Sequence, residues 1–354
     1  MAVAVLSIKA ITDYDQTMPV INEAVPVVDF SRLLNREEDT NAAATIHRAC
    51  CESGFFYLQD FGIGEAEIDA LSEAMHWFFA LPLVVKKSVA RSEGNSRGYY
   101  NTELTKNIRD MKEVFDFGCI NDSTMPDDHQ DNRSQDGWNQ WPVCDGDASF
   151  RSILTQYFEH CTDVALRLLE VVVANLGADP DILKSDFHPQ HSSFLRLNYY
   201  PVNDPLSVGQ SGAHKAADTG HMGVHHHTDA GALTLLLQDN VGGLEIYNRD
   251  AWIPVPPIAG TLIVNIGDIV QVWSNDLYRA PLHRVVASTS RDRYSVPYFY
   301  NPAYAATYAP LPFVNGKQAE PLYSPINWGH FRFHRQHGDY RDFGNEIQIS
   351  DYKF

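Results

Sequence analysis

Residues 227–295 hold the side chains best suited to chemistry. His227-Thr228-Asp229 opens the stretch, a lone His283 follows, and Arg293-Tyr294-Ser295 closes it. On a strand, residues i and i+2 leave the same face, so His227 and Asp229 can aim at one point, and Arg293 and Ser295 at another. Two imidazoles and one carboxylate leave open coordination positions on a divalent metal, a donor set that suits non-heme Fe(II). No cysteine stands at a ligand spacing, so the closed thiolate shell of a structural zinc site is not on offer. An arginine fork beside a serine hydroxyl suits the fixed carboxylate of a small anion.

Each part taken singly has a plainer reading. Histidines commonly sit near aspartates, His283 alone would be a hydrogen-bonded core residue, and Arg293 with Ser295 a solvated strand face. Their order, spacing and placement on expected strands carry the assignment together. The run His225-His226-His227 poses a question of register, and only His227 completes H-x-D. His214 and His221 lie in the same region and are not assigned as ligands.

The elements that must position these groups read as a β domain with helices packed on it. From residue 191 onward, short strands recur: HSSFLRLNYYP, LTLLLQ, GLEIY, WIPV, TLIVNI, DIVQVW, LHRVVA and YSVPYFY. Gly242-Gly243, Pro256-Pro257, Gly260 and Asn275-Asp276 punctuate them. Many short strands at this spacing predict a sandwich or double-stranded jelly roll. Before them, Leu154, Phe158, Cys161, Ala165, Leu168 and Val172 follow the 3.6-residue period of a helix over 149–176. That stripe is core packing, and the helix is expected to back one sheet. Further upstream, AVPVVDFSRL reads as an edge strand, a helix starts near Asn41 and stops at Gly54, a strand covers Phe55–Gln59, and a second helix ends before Pro82. Residues 120–149 are acidic and rich in turn formers, as a surface loop would be. A helix near Trp328–Gln336 is expected to pack back on the barrel. The expected division is 1–120 helical and mixed, 121–190 acidic loop and backing helix, and 191–354 jelly roll with C-terminal helix, all one integrated domain.

The totals limit the partners. A net charge of −18 disfavours nucleic acid and anionic membranes. The five cysteines follow no C-x-x-C or regular spacing, which points to a reducing compartment rather than a disulfide framework. No signal peptide or run of about 20 apolar residues is evident, so a soluble, cytoplasmic protein acting on a small molecule is expected. The sequence leaves the oligomeric state open.

With those residues in place, the chain resembles the isopenicillin N synthase-like branch of the Fe(II)/2-oxoglutarate-dependent dioxygenases. H-x-D, a histidine about fifty residues on and R-x-S about ten further match that family. So do LRLNYYP at 195–201, the RGY…D-x-K-E-x-F-D run within 97–116, and NQWP at 139–142. The resemblance implies a mainly β fold with flanking helices around a double-stranded β-helix, or jelly roll. It implies Fe(II) on His227, Asp229 and His283, 2-oxoglutarate on Arg293 and Ser295 with Asn198 and Tyr200, and O2 as oxidant. Hydroxylation of a small-molecule metabolite with release of succinate and CO2 would follow, with no catalytic side chain beyond the metal ligands. A desaturase, or a 2-oxoglutarate-independent oxidase or cyclase of the same fold, is the alternative. Asp229 argues against halogenation, which in the family replaces this carboxylate with a small residue. Phe299, Arg97 and Tyr99 are the expected substrate contacts; Arg97, Arg109 and Lys106 could bind an acidic substrate, with solvated basic residues as the plainer reading. The segment 202–226 is longer than the family usually has and is expected to shape the substrate mouth or to form a solvated excursion.

Overall fold

The computed structural model describes residues 25–92, 94–105, 108–119, 137–203, 222–314, 317–318, 320–337 and 347–354. The expectations for residues 1–23, Lys106, His214, His221, and most of the 120–149 and 202–226 segments fall outside these residues.

The N-terminal half supplies strands β1 (Val27–Asp29), β2 (Phe55–Gln59), β3 (Gly98–Tyr100), β4 (Leu104–Thr105), β5 (Ile108–Arg109) and β6 (Glu113–Gly118). The C-terminal half adds β7 (Phe194–Tyr200), β8 (Met222–His227), β9 (Leu233–Gln238), β10 (Leu244–Asn248) and β11 (Ala251–Pro254). It continues through β12 (Thr261–Ile266), β13 (His283–Val286) and β14 (Arg293–Tyr300). Eight strands form one sheet in the order β1-β2-β12-β9-β14-β7-β6-β3, and a second sheet runs β11-β10-β13-β8. The small sheet closes over one face of the large one, as a jelly roll requires.

Alternation along each strand divides the apolar residues between two cores. Leu195, Leu197, Leu235, Val296, Tyr298 and Tyr300 leave the outer face of the large sheet and join the core that includes Leu154, Phe158, Leu168 and Val172. Those last residues come from the Asp147–Asn175 helix, which lies where the 3.6-residue stripe places it. Thr162 and Tyr298 hydroxyls, 2.7 Å apart, tie that helix to β14. The inner face contributes Phe55, Tyr57, Tyr200 and Ile263, which meet Val224, Leu244, Ile246 and Val285 of the small sheet. The functional side chains therefore lie between the sheets, on the face opposite the helices.

Local rules account for the N-terminal elements. Asp39 caps the Thr40–Glu52 helix by accepting from the Asn41 and Ala42 amides at 3.1 and 3.0 Å. Gly54, at φ +69°, ends it in the left-handed conformation. The Glu65–Ala80 helix and β2 follow the sequence reading, and β1 is an edge strand parallel to β2. In the NQWP segment Asn139 pairs with the Gly118 backbone, and Gln140 donates to the Ala90 and Arg97 carbonyls. The C-terminal helix spans Trp328–His337, and the Trp328 indole donates to Ser192 Oγ at 2.8 Å.

One expectation changes here. DIVQVW is the helix Asp268–Trp273, not a strand. Its apolar run is buried on several sides, and a short run of that kind does not separate strand from helix by periodicity. The family-like run that begins at Arg97 supplies β3 to β6, with β6 paired to β7.

No described helix is long and apolar enough to cross a membrane. Leu168→Ala, at a fully buried position of the 147–175 helix, is expected to cost roughly 2–5 kcal/mol. Urea denaturation measures it, and an unchanged midpoint would show that this helix contributes little to the fold.

Candidate active site

The strand pairing decides which side chains meet. β14 lies antiparallel to β7 with Arg293 opposite Tyr200, Ser295 opposite Asn198 and Phe299 opposite Phe194. On its other edge β14 sets Ser295 opposite Gln238 and Phe299 opposite Thr234. Because side chains alternate, Arg293, Ser295, Pro297 and Phe299 share the inner face with Phe194, Arg196, Asn198 and Tyr200. In the small sheet His283, first residue of β13, pairs with His227, last residue of β8.

His227, Asp229 and His283 bring one ligand atom each to within 4.8 Å of one another. Asp229 Oδ1 lies 3.6 Å from His227 Nε2 and 3.7 Å from His283 Nε2. Both imidazoles direct Nε2 inward because their other nitrogen donates to a backbone carbonyl. His227 Nδ1 reaches His225 O at 2.8 Å, and His283 Nδ1 reaches Pro281 O at 3.0 Å. That fixes the tautomer and ring orientation a metal needs. The second carboxylate oxygen of Asp229 is occupied by Thr234 Oγ1 at 2.6 Å and Asn265 Nδ2 at 2.7 Å. Oδ1 is left to face the histidines.

Asp229 does not lie on the strand, as the H-x-D reading had it. β8 ends at His227, and Asp229 follows in the loop. Its position is set by close backbone packing instead: the Asp268 amide donates to Asp229 O at 2.8 Å, and Arg335 donates to Thr228 O at 3.0 Å. Gly267 makes that approach possible, since a Cβ there would lie 2.2 Å from Gly231 O and 2.8 Å from Asp229 O.

The cluster's protonation suits cation binding. Burial, with His227 beside it, pushes His283 down to about 4, so this imidazole is neutral near pH 7. Burial alone would raise Asp229, but the charges of His283 and His227 outweigh it and hold the carboxyl well below its usual range. Burial also opposes charge on His227, yet Asp229 prevails and leaves its pKa raised. A bound divalent cation would take the place of that proton.

Beyond the triad the same cleft is lined by Arg293, Ser295, Asn198, Tyr200 and Phe299 together with Lys112 and Arg196. Arg293 is 1% exposed and lies over the Tyr200 ring at 4.9 Å. Its Nη1 donates to Ser295 Oγ at 3.2 Å and its Nη2 to Gln238 Oε1 at 3.2 Å. Asn198 Nδ2 lies 3.4 Å from the same serine oxygen. Among the described residues, Arg293 Nε, Gln238 Nε2 and Asn198 Oδ1 are buried without a hydrogen-bond partner. Such atoms, one on the guanidinium and two on its neighbours, are costly unless a polar ligand joins them.

The site gathers all seven metal and cosubstrate candidates, and Phe299 with them. Tyr99 lies elsewhere: it is buried in the helix-side core with its hydroxyl donating to Glu113 at 2.8 Å. Arg97 lies apart from the triad, grouped with Arg196 and Arg332 around the Phe194 ring. His225 acts from behind the site, its backbone carbonyl holding His227. Sequence reasoning missed Thr234, Asn265, Gln238, Lys112 and Arg196 as site residues. The alternation that selects Asn198 and Tyr200 also selects Arg196, so that signal was present; Thr234, Asn265 and Gln238 depend on strand register and had none.

This geometry defines a non-heme metal oxygenase centre on a jelly roll. Residues 191–302 match the 2OG-Fe(II) oxygenase superfamily, and residues 25–144 match the non-haem dioxygenase in morphine synthesis N-terminal family. A homoarginine-6-hydroxylase of Glycine max is 31% identical over 302 residues, covering 81% of this chain and 88% of that protein. The crystal structure of a full-length Neurospora crassa protein in complex with alpha-KG and thymine superposes with a TM-score of 0.72 at 26% identity, over 89% of this chain and 97% of that one. JOX2 in complex with 2OG, Fe and JA gives 0.69 at 27% identity, over 87% and 83%. The chain belongs to the 2OG-Fe(II) oxygenase superfamily. It is an oxidoreductase that uses Fe(II), 2-oxoglutarate and O2. Its own residues fit that cofactor pair, the His-Asp-His donor set on one side and the orphaned polar atoms around Arg293 on the other.

Asn265→Ala, which frees Asp229 Oδ2 from one donor, is expected to weaken Fe(II) binding by roughly 10- to 100-fold. Anaerobic metal titration reads this, and unaltered affinity would remove Asn265 from the support of Asp229. Fe(II) affinity should also fall as pH is lowered through the raised pKa of His227, because the proton and the metal compete for Nε2. Affinity that is flat across that range would contradict the pairing of His227 with Asp229.

Proposed function

We propose that this enzyme hydroxylates an unactivated carbon of a small organic molecule. In this reading R–H, O2 and 2-oxoglutarate give R–OH, succinate and CO2. His227, Asp229 and His283 hold the iron, which supplies the oxidising chemistry when bound. Arg293 and Ser295 grip the distal carboxylate of 2-oxoglutarate, and Asn198 and Tyr200 complete the wall around it. The chain's own work is to bind, orient and exclude water, while the metal performs the difficult bond cleavage. Phe299 lies further along the same strand face and contacts the substrate.

The observation that carries this reading is the buried Arg293, whose Nε lacks a partner as do the nearby Gln238 Nε2 and Asn198 Oδ1, in the same cleft as the triad. A cosubstrate-independent oxidase would have to fill those positions with its substrate's own carboxylate. The similarity to a hydroxylase, and to structures holding thymine or JA, supports a small-molecule substrate. Desaturation or ring closure would give a product two hydrogens lighter, whereas hydroxylation gives one an oxygen heavier.

The test is anaerobic visible absorption of the Fe(II) protein titrated with 2-oxoglutarate. A weak charge-transfer band should grow with 2-oxoglutarate in the wild type. In Arg293→Ala the half-saturating concentration should rise at least about 30-fold, the equivalent of losing one partner of a buried charge pair. Iron binding without a band in the wild type would instead favour the cosubstrate-independent oxidase. His227→Ala, Asp229→Ala or His283→Ala should each abolish 2-oxoglutarate-dependent oxygen uptake, and full uptake in any one would exclude that residue as a ligand.

A further inference from the structure

The ladder between β8 and β13 slips just before the triad. His227 pairs with His283 and Val224 with Val285, so β8 advances three residues where β13 advances two. His225 and His226 together oppose Arg284, which makes a β-bulge directly ahead of His227. Bulges re-aim the side chains beside them, and the residue that leaves the ladder must find other partners for its backbone. β8 is also the edge strand of the small sheet, so the bulge has no strand on its outer side.

The segment between β5 and β6 covers that edge, and Asp110 is its point of attachment. The Met111 amide donates to Met222 O at 3.3 Å. Asp110 Oδ1 accepts twice from one residue, from the His225 amide at 3.3 Å and from its ring Nδ1 at 3.1 Å. Facing a carboxylate, Nδ1 is the ring nitrogen that carries the proton. Asp110 Oδ2 accepts from Thr105 Oγ1 at 2.7 Å and meets Lys112 Nζ at 3.1 Å. The side chain is fully buried, and all four of its bonds hold it against β8.

The two histidines of the triad are aimed in the same way but from unlike supports. Each donates Nδ1 to the carbonyl two residues before it, His283 to Pro281 and His227 to His225. Proline restricts its own backbone through its ring. His225 has no such ring and sits in a bulge, so its carbonyl needs a hold from outside. We propose that Asp110 is a positioning residue for the iron: by clasping His225 at amide and ring it fixes the bulge of β8, and with it the carbonyl that aims His227 Nε2 at the metal. This rests on the reading of His227 as an iron ligand.

The test is anaerobic titration of the full chain with Co(II), which sites of nitrogen and oxygen ligands hold more tightly than Fe(II). Its visible absorption reports coordination without turnover. Asp110→Asn, which offers one acceptor oxygen in place of two, should weaken Co(II) binding by about tenfold, the low end for outer partners of metal ligands. The same substitution should cost nothing further in His227→Ala, because the side chain it aims is gone, and should keep its full effect in His283→Ala. A carboxylate that only closes the sheet edge would give equal losses in both backgrounds. His225→Ala should weaken binding severalfold, and His225→Asn, whose amide can donate from near the Nδ1 position, should restore most of it.

Wild-type affinity in a folded Asp110→Asn, or equal losses in the two histidine backgrounds, would overturn the proposal. If Asp110→Asn does not fold, the His225 pair decides: wild-type affinity in His225→Ala, or no recovery in His225→Asn, overturns it. Wild-type affinity in His227→Ala alone would show that the ligand reading has failed, and the positioning role with it.

Discussion

The antiparallel pairing of β7 with β14 is the constraint on which the rest of the site depends. One register places Tyr200 against Arg293, Asn198 against Ser295 and Phe194 against Phe299. A slip of one residue would send every one of these side chains to the helix side and bring Leu195, Leu197, Val296 and Tyr298 into the cleft. That slip is opposed from both faces, because the second set belongs to a dense core against the 147–175 helix. The site's accuracy therefore rests on apolar burial that never touches a ligand.

Register also sets the direction of the cleft. Moving along β14 from Arg293 to Phe299, the wall changes from a cation with polar neighbours to stacked aromatics. The triad enters from the opposite, smaller sheet, where β8 and β13 bring His227 and His283 together at their ends. Ligands placed at strand ends can be shaped by loops without disturbing the sheet. Asp229 illustrates this, held by the Asp268 amide and by the close approach at Gly267.

Behind the cleft lies a buried network of Arg91, Arg196, Lys112, Glu103, Asp110 and Asp116. Lys112 Nζ meets Glu103 at 2.8 Å and Asp110 at 3.1 Å, and Asp110 in turn bonds the His225 ring at 3.1 Å. Burial by itself would lower the Lys112 pKa, but the two carboxylates outweigh it and keep the ammonium charged. Such networks add little to net stability compared with well-packed apolar residues, since desolvation offsets the Coulombic gain. Here the network runs from the wall of the cleft to the residue whose carbonyl orients His227, so it organises two parts of the site through one set of bonds.

The sequence alone determined the elements whose cause is local. H-x-D, His283 and R-x-S declared a donor set and an anion anchor through residue type and spacing, and the 3.6-residue stripe placed the 147–175 helix. Alternation in LRLNYYP already held the inner-face set, Arg196 included. What tertiary structure decided was whatever depends on a partner distant in sequence. DIVQVW became a helix because neighbours bury it on several sides, and Tyr99 turned to the core because β3 pairs with β6 and sets it opposite Phe115. Thr234 and Asn265 support Asp229 only through the order β12-β9-β14. Arg97, Arg196 and Arg332 converge on Phe194 from three separate elements. Period and spacing encode which face a residue takes; only packing of the whole chain determines what stands across from it.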